Sequence, residues 1–480
     1  SIIYKIMDLS EMRMLPRNAD YRSVLPSALH SEVKQRTFFP INGNAFTDAG
    51  NNIIRIDISG EDFLDPKSSF LRFRFTNNSG TTMGFDYGGG HVFVRRMRIE
   101  QAGNILTDIN QYNKLMSAIV LPSQGTRDSL QHRSITENQR FANDVIAGGS
   151  TDPDPAASCS GASLTTPSNS DLLIGIGGTA DFCIPIVNGL LGLGQDKLVP
   201  LALLGSSPLT IEIELCPLLD VGTFAAAPAA GLGYQIDNVR YIASMVQSPP
   251  AIHQQIRLVQ QASGGRLLLS GSDWTHFNGT VGAGAIGQVA INVPARRRSI
   301  NSLFFVGASR DFVGAGVAQD TVFNTSFGGN FNMTNFNLKI GSLQVPPSPI
   351  ECNYGAVGWN GESRSEHMVE LQKTLGTLAS THGCGSLGTT NFAVTDCDVA
   401  GMAVSTAAAA PSVPYQFCPF SIDLRSFARV ATSSGANTAD KSTPITLQMN
   451  IGAANAQAVN VDCYINYDSL SYIDQSGTIR

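Results

Sequence analysis

Charge is scarce in this chain. Asp, Glu, Lys and Arg supply 15% of its 480 residues, against about 25% in ordinary soluble domains. What charge there is nearly cancels: 32 basic against 38 acidic residues leave a net of −6. A dedicated nucleic-acid binder needs a strongly positive surface, so specific nucleic-acid binding is not expected. Long apolar runs are missing as well. The richest, Gly189 to Gly205, is interrupted by Gly192, Gly194, Gln195, Asp196, Lys197 and Pro200, and nothing approaches the ~20 apolar residues of a membrane span. The opening residues Ser1-Ile2-Ile3-Tyr4-Lys5 begin no apolar stretch and no small-residue cleavage site, so synthesis without a secretory signal is expected.

Motifs that carry chemistry are equally sparse. The eight cysteines, Cys159, Cys183, Cys216, Cys352, Cys384, Cys397, Cys418 and Cys463, form no C-x-x-C pair and read as reduced thiols, several of them small buried hydrophobes. The seven histidines, His30, His91, His132, His253, His276, His367 and His382, never fall at ligand spacing on one element, so no metal site is expected. No P-loop, zincin helix or G-x-S-x-G elbow is present. Gly282-x-Gly284-x-x-Gly287 matches the dinucleotide fingerprint in letters, but a strand pattern, Gln288–Val293, follows it where the mechanism needs a helix. Gly175-x-Gly177-x-x-Ala180 fails the same way, running into Phe182–Ile186. No catalytic, cofactor-binding or metal-ligating residue is therefore assigned, and the chain is not expected to be an enzyme. The clusters Arg95-Arg96-x-Arg98 and Arg296-Arg297-Arg298 lack the interleaved aromatics of a base-stacking platform and read as structural. Sequons at Asn77, Asn278, Asn324 and Asn332 carry little weight without export.

What the chain has is turn formers, 47 Gly and 23 Pro, between short alternating segments. Ile54–Ile58, Phe70–Phe75 and Val92–Ile99 alternate apolar and polar residues, the period of a half-buried strand. Ile109, Tyr112, Leu115, Met116 and Ile119 then share a helical face that opens at Thr107-Asp108 and stops at Pro122. A polar stretch runs from Pro122 to Thr179, far beyond the usual ~4–6-residue loop, and is expected to be an outward-facing excursion. Strands resume at Phe182–Ile186, Leu209–Leu215 and Val239–Ile242, and Ser248-Pro249-Pro250 breaks the pattern. Beyond it, Arg266–Leu269, Val289–Val293, Ser302–Val306 and Phe336–Ile340 read as strands. One helix follows, carrying Met368, Leu371, Leu375 and Leu378 behind a Ser363–Glu366 capping box. Phe420–Leu424, Ile445–Met449 and Val461–Ile465 complete the strands.

The second half restates the first. Phe182-Cys183-Ile184-Pro185 resembles Phe417-Cys418-Pro419-Phe420, Pro208–Ile211 resembles Pro444–Leu447, and Asp237–Ile242 resembles Asp468–Ile473. The three matches fall in the same order, at separations of 235, 236 and 231 positions by subtraction of those numbers. The repeating unit is therefore a whole domain rather than a 20–50-residue solenoid module. The expected architecture is all-β: an arm over 1–35, then two tandem eight-stranded jelly-roll β-sandwiches over 36–248 and 249–480, with short helical excursions and long loops.

Several segments carry a family resemblance. They are Phe93–Leu106 running into Asp108–Asn113, Cys183–Ile186 leading to Leu198–Leu201, Leu343–Pro346 with the Glu366–Leu378 stretch, and the ending Tyr467–Leu470. Over roughly 36–480 the chain resembles the double jelly-roll major capsid proteins, the lineage of adenovirus hexons and large nucleocytoplasmic DNA viruses, and most of all the virophage and Polinton-like group. The resemblance implies a structural protein of an icosahedral DNA-virus virion. It implies homotrimers of pseudo-hexagonal outline that tile a shell and meet neighbouring capsomers, minor capsid proteins and pentons. It also implies N-terminal segments that lie inward. In the 1–35 arm itself, Met12, Met14, Leu15, Val24 and Leu25 fit neither a helical face nor strand alternation, so the arm is expected to make contacts between molecules.

Other readings use the same residues. A penton or minor capsid protein is also a β-sandwich, but pentons usually carry one jelly roll, and the duplication speaks against it. A two-domain glycan-binding β-sandwich would stack sugars on Trp274 and Trp359, although buried packing is the commoner use of such rings.

Overall fold

The computed structural model describes residues 31–480 apart from 86–87, 125–135, 137–173, 206, 222, 225–227, 229–230, 310–330, 353–361, 377–417, 426–434, 441–443 and 455–457. Eight principal strands build the first half: β1 (Glu32–Phe38), β2 (Ile53–Ile58), β3 (Phe63–Asn78), β4 (Val94–Gln101), β5 (Asn104–Asn110), β6 (Thr179–Pro185), β7 (Leu209–Leu215) and β8 (Gly233–Gln247). They form two antiparallel sheets, β1-β8-β3-β6 and β2-β7-β4-β5. The first strand thus lies beside the eighth and the second beside the seventh, the winding of a jelly roll. Short strands Ala45–Thr47 and Val199–Pro200 extend the first sheet.

The second half contributes β9 (Leu267–Val281), β10 (Gly287–Val293), β11 (Ile300–Ser309), β12 (Met333–Ile340), β13 (Leu343–Glu351), β14 (Phe420–Asp423), β15 (Ile445–Ile451) and β16 (Val459–Ile473). Their sheets are β9-β16-β11-β14 and β10-β15-β12-β13. Each label is that of the first sandwich advanced by eight, so the duplication is one of topology, strand for strand.

Alternation explains the strands. In β7 the side chains of Leu209, Ile211, Ile213 and Leu215 are buried while Thr210, Glu212 and Glu214 are partly exposed. Each fully buried aliphatic side chain is worth roughly 1.5–3 kcal/mol, so slipping the register by one residue would exchange the two faces and forfeit all four. Both interiors are built on paired phenylalanines. Phe73 of β3 stacks on Phe182 of β6 at 5.2 Å, and Phe305 of β11 stacks on Phe420 of β14 at 4.9 Å. The residue in the place of Phe182 is thus Phe420; Phe417, expected there, lies outside the described residues. Pro208 and Pro444 each stand immediately before equivalent strands, β7 and β15. Asp237 and Asp468 lie on equivalent strands, β8 and β16.

The structure differs from the sequence reading in several places. Strand β1 begins at Glu32 and pairs with β8 from Glu32↔Gln247 onward, so the last residues of the expected 1–35 arm belong to the first sheet; residues 1–30 lie outside the described ones. The helix expected from Ile109 starts later. Ile109 is a strand residue opposite Met97, and the chain turns at Gln111, whose φ is 50°. The helical segment α1 then runs through Tyr112–Lys114, a π turn at Leu115–Val120, and Leu121–Gln124. Helix α3 (Glu362–Leu375) already contains Ser363, and Glu366 accepts a hydrogen bond from the Glu351 N–H at 3.0 Å. Leu378, most of the Pro122–Thr179 excursion and Trp359 lie outside the described residues.

An unanticipated helix, α2 (Pro250–Ala262), joins the sandwiches, with Pro250 at its first turn, where a missing N–H costs nothing. Its His253 stacks on Phe63 of the first sandwich at 4.8 Å. Its buried Gln260 donates to the carbonyls of Ile473 and Asp474 at the end of the second.

Candidate functional site: the seam between the sandwiches

A set of deeply buried polar groups gathers where the two sandwiches meet. The connection between β6 and β7 carries Gly189–Gln195, which lies against β9. The Ser272 N–H donates to the Gly194 carbonyl at 2.9 Å, and Gln195 forms a β-bridge with Gly271. The backbones are too close for side chains. A Cβ on Gly194 would stand 2.1 Å from the Ser272 oxygen, and one on Gly271 would stand 2.3 Å from the Gly189 oxygen.

Asp273, the next residue of β9, is fully buried. Its carboxylate accepts from the Gly189 N–H and from the Tyr467 hydroxyl, both at 3.2 Å. Burial pushes the carboxyl up to about 6, with these hydrogen bonds acting against the rise.

A second cluster joins α1 to β16. Lys114 forms an ion pair with Asp462, which also receives the His276 Nε2 at 2.9 Å and the Asn278 amide at 3.3 Å. Burial alone would raise the Asp462 carboxyl; the Lys114 ammonium and the His276 contact outweigh it and hold the group well below the usual carboxylate range. Beside it, the Tyr464 hydroxyl donates to the Gln111 carbonyl at 3.0 Å.

A third cluster surrounds the fully buried Gln101 at the end of β4. Its amide donates to the carbonyls of Gly477 (3.0 Å) and Ser207 (3.1 Å), and its oxygen accepts from the Ile479 N–H at 2.7 Å. Buried polar groups are costly unless paired. These donors and acceptors are satisfied only when the sandwiches hold one relative position, so the seam fixes orientation. Among the described residues no three His, Cys, Asp or Glu side chains are placed to hold a metal ion.

Several features singled out in the sequence have structural uses. Arg96 pairs with Asp108 at 2.5 Å, Arg98 with Glu212 at 3.2 Å and Arg95 with Glu214 at 3.6 Å, all across the outer face of the β2-β7-β4-β5 sheet. Gly282, Gly284 and Gly287 form the turn between β9 and β10. Trp274 packs against Phe304 at 5.6 Å. Asn77 is fully buried, its amide donating to the carbonyls of Thr81 and Ile174, so this sequon is closed in the folded chain. Cys183, Cys216, Cys352, Cys418 and Cys463 are free thiols. No helix among the described residues is long and apolar enough to cross a membrane.

No family model and no curated protein matches the sequence. Solved structures do match, over nearly the whole chain. VP54 of PBCV-1 is 9% identical with a TM-score of 0.55, covering 96% of this chain and 98% of that one. The Faustovirus major capsid protein is 10% identical, with a TM-score of 0.56 over 96% and 93%. A chain of the Sputnik virophage is 12% identical, with a TM-score of 0.53 over 97% and 91%. The fold is a double jelly roll. At these identities the likeness is one of fold.

Proposed function

We propose that this chain is a major capsid protein, a structural and non-enzymatic component of an icosahedral virion, acting as a homotrimer of pseudo-hexagonal outline. The observation that carries the reading is the repetition of one strand order in two sandwiches locked side by side by buried polar groups. A protein built to present two equivalent faces in a fixed relation suits a shell facet; the full-length likeness to viral capsid proteins supports the same role. Minor capsid and penton proteins would be its partners in the particle. The domains are an N-terminal arm ending before Glu32 and sandwiches that part at Ser248-Pro249.

The seam within the chain supplies a template for contacts between chains. Edge strand β5 of the first sandwich lies beside β9 of the second. The equivalent strands left over are β13 of one copy and β1 of the next. Both edges carry exposed apolar groups: Leu343 is 64% exposed on β13, and Val33 on β1 is 66% exposed. Repeating the internal contact between copies closes after three chains.

Light scattering of the purified full-length chain tests this. A particle of three 51.0 kDa chains, and hexagonal plates or shells in negative stain, are expected. Val33→Asp and Leu343→Asp should each yield monomers with unchanged thermal unfolding. A wild-type chain that stays monomeric at micromolar concentration in assembly-compatible salt would overturn the proposal.

A further inference from the structure

At one end of the second sandwich lies a cavity of about 1060 Å³ whose walls are rich in arginine. It gathers the turn between β4 and β5, the start of β9, the last residues of β16 and the β10–β11 connection, which carries Arg296, Arg297 and Arg298. The chain leaves β11 after Ser309 and β13 after Glu351 at the other end, because Ser309 pairs with Val459 at the start of β16 while Leu267 pairs with Ile473 at its finish.

Five exposed arginines line this cavity; Arg480 pairs with Asp474, and the other four are Arg266, Arg296, Arg297 and Arg298. Two are held flat over rings: Arg297 lies 4.2 Å from the Tyr467 ring centre and Arg266 lies 4.8 Å from that of Tyr472. Stacking leaves the N–H fork of each free to meet a planar anion. No carboxylate of the described residues forms a salt bridge with any of the four. The acid in the wall, Asp468, is already engaged by the Ser299 hydroxyl at 2.5 Å and the Asn301 amide at 2.7 Å. Apolar groups share the same concavity: Leu470 is 64% exposed, Ile105 54% and Leu268 48%.

We propose that this groove binds an acidic peptide segment of another protein, one that interleaves carboxylates with apolar side chains. The charges call for an anion, and guanidinium forks match carboxylates in bidentate fashion. The exposed leucines call for side chains a polyphosphate backbone does not offer, and both tyrosine faces are covered by arginine, leaving no platform for bases. A bilayer is flat, whereas these groups line a hollow large enough for several residues. The proposal does not depend on the chain building a shell.

Fluorescence anisotropy of the full-length chain with a short labelled peptide of Glu, Leu and Gly tests it. Saturable binding that weakens as salt is raised is expected. Arg296→Glu combined with Arg298→Glu should weaken it about tenfold or more. Leu470→Ser should weaken it severalfold while leaving the salt dependence unchanged. Replacing Glu by Lys in the peptide should abolish binding. These side chains are exposed, and unchanged thermal unfolding and oligomeric state would show that the variants fold. Wild-type binding that is absent, that survives the charge reversals, or that is bettered by phosphatidylglycerol vesicles or by a DNA oligonucleotide would overturn the assignment.

Discussion

Lys114 of the first sandwich and Asp462 of the second form an ion pair buried between them. The two residues are 348 positions apart, and beside them the Tyr464 hydroxyl meets the Gln111 carbonyl across the same boundary. Removing one partner of such a pair strands the other charge, typically at a cost of about 3–5 kcal/mol. Asp462→Asn and Lys114→Met should each lower the denaturation midpoint by an amount of that order. The double variant should lose much less than the sum of the two. Additive losses would show that the charges act independently.

Gly194 tests the backbone contact of the same seam. A Cβ there would collide with the Ser272 carbonyl, and backbone cannot swing aside as a flexible side chain does. Gly194→Ala should therefore undock the sandwiches while each keeps its own core. Calorimetry should resolve two transitions where the parent chain shows one, and protease should cut between Ser248 and Pro250.

Asp273 gives the seam a pH response. Its carboxyl is pushed up to about 6, against about 3.9 in an unfolded chain, so the folded state binds the proton more tightly. Its contribution is full below about pH 4 and is lost as pH rises through about 6, some 3 kcal/mol in all. Asp273→Asn should remove this component. The stability of the parent relative to the variant should grow as pH falls from 7.5 to 4.5, and a constant difference would refute the assignment.

His367 slopes the other way. It is fully buried, lies flat against Phe420 at 4.4 Å and meets the Pro419 carbonyl through Nε2 at 3.0 Å. Burial pulls its pKa down to about 4, with the Pro419 carbonyl opposing the fall, against about 6.5 when unfolded. The stability of the neutral ring is full above pH 6.5 and is lost as pH falls through about 4, again about 3 kcal/mol. His367→Gln, which keeps a donor for Pro419, should flatten the acid limb of the unfolding curve between those values, as chemical denaturation at a series of pH values would show.

Much of this fold is legible one strand at a time. The period-two pattern of Leu209–Leu215 places four side chains inward without reference to the rest of the chain. Where short-range pattern misleads, long-range pairing is the cause. The spacing of Ile109, Tyr112 and Ile119 suits a helix, but Ile109 is claimed by its partner Met97. Matching letters put Phe417 opposite Phe182, whereas strand pairing selects Phe420. Strand β13 contains Pro346, Pro347 and Pro349, which reads as loop; an edge position tolerates them because one side of the strand has no ladder to break. Helix α2 exposes Leu258 and Val259, and the helical spacing of its half-buried Ile252 and Ile256 is a short signal set among polar residues. The seam was the least legible part, since Gln101 meets Gly477 across 376 positions. Its local trace was the interruption of the apolar run after Gly189: the breaks at Gly194 and Gln195 are the residues that touch the second sandwich.

The two halves share a winding but not a surface. On the outer face of the β2-β7-β4-β5 sheet, Arg55 and Arg98 converge on Glu212. The equivalent face of the second sandwich is mostly amides, Gln288, Asn335, Gln448 and Asn450, with Lys339 and Glu351 as charged groups among them. In the proposed ring of three chains these faces would alternate. A neighbour that recognised outline would meet six like sides, whereas one that recognised charge would meet three richer in ion pairs than the rest. Ionic strength would then weigh more on every second contact, giving the tile a threefold sense of direction on a lattice whose geometry alone would supply none.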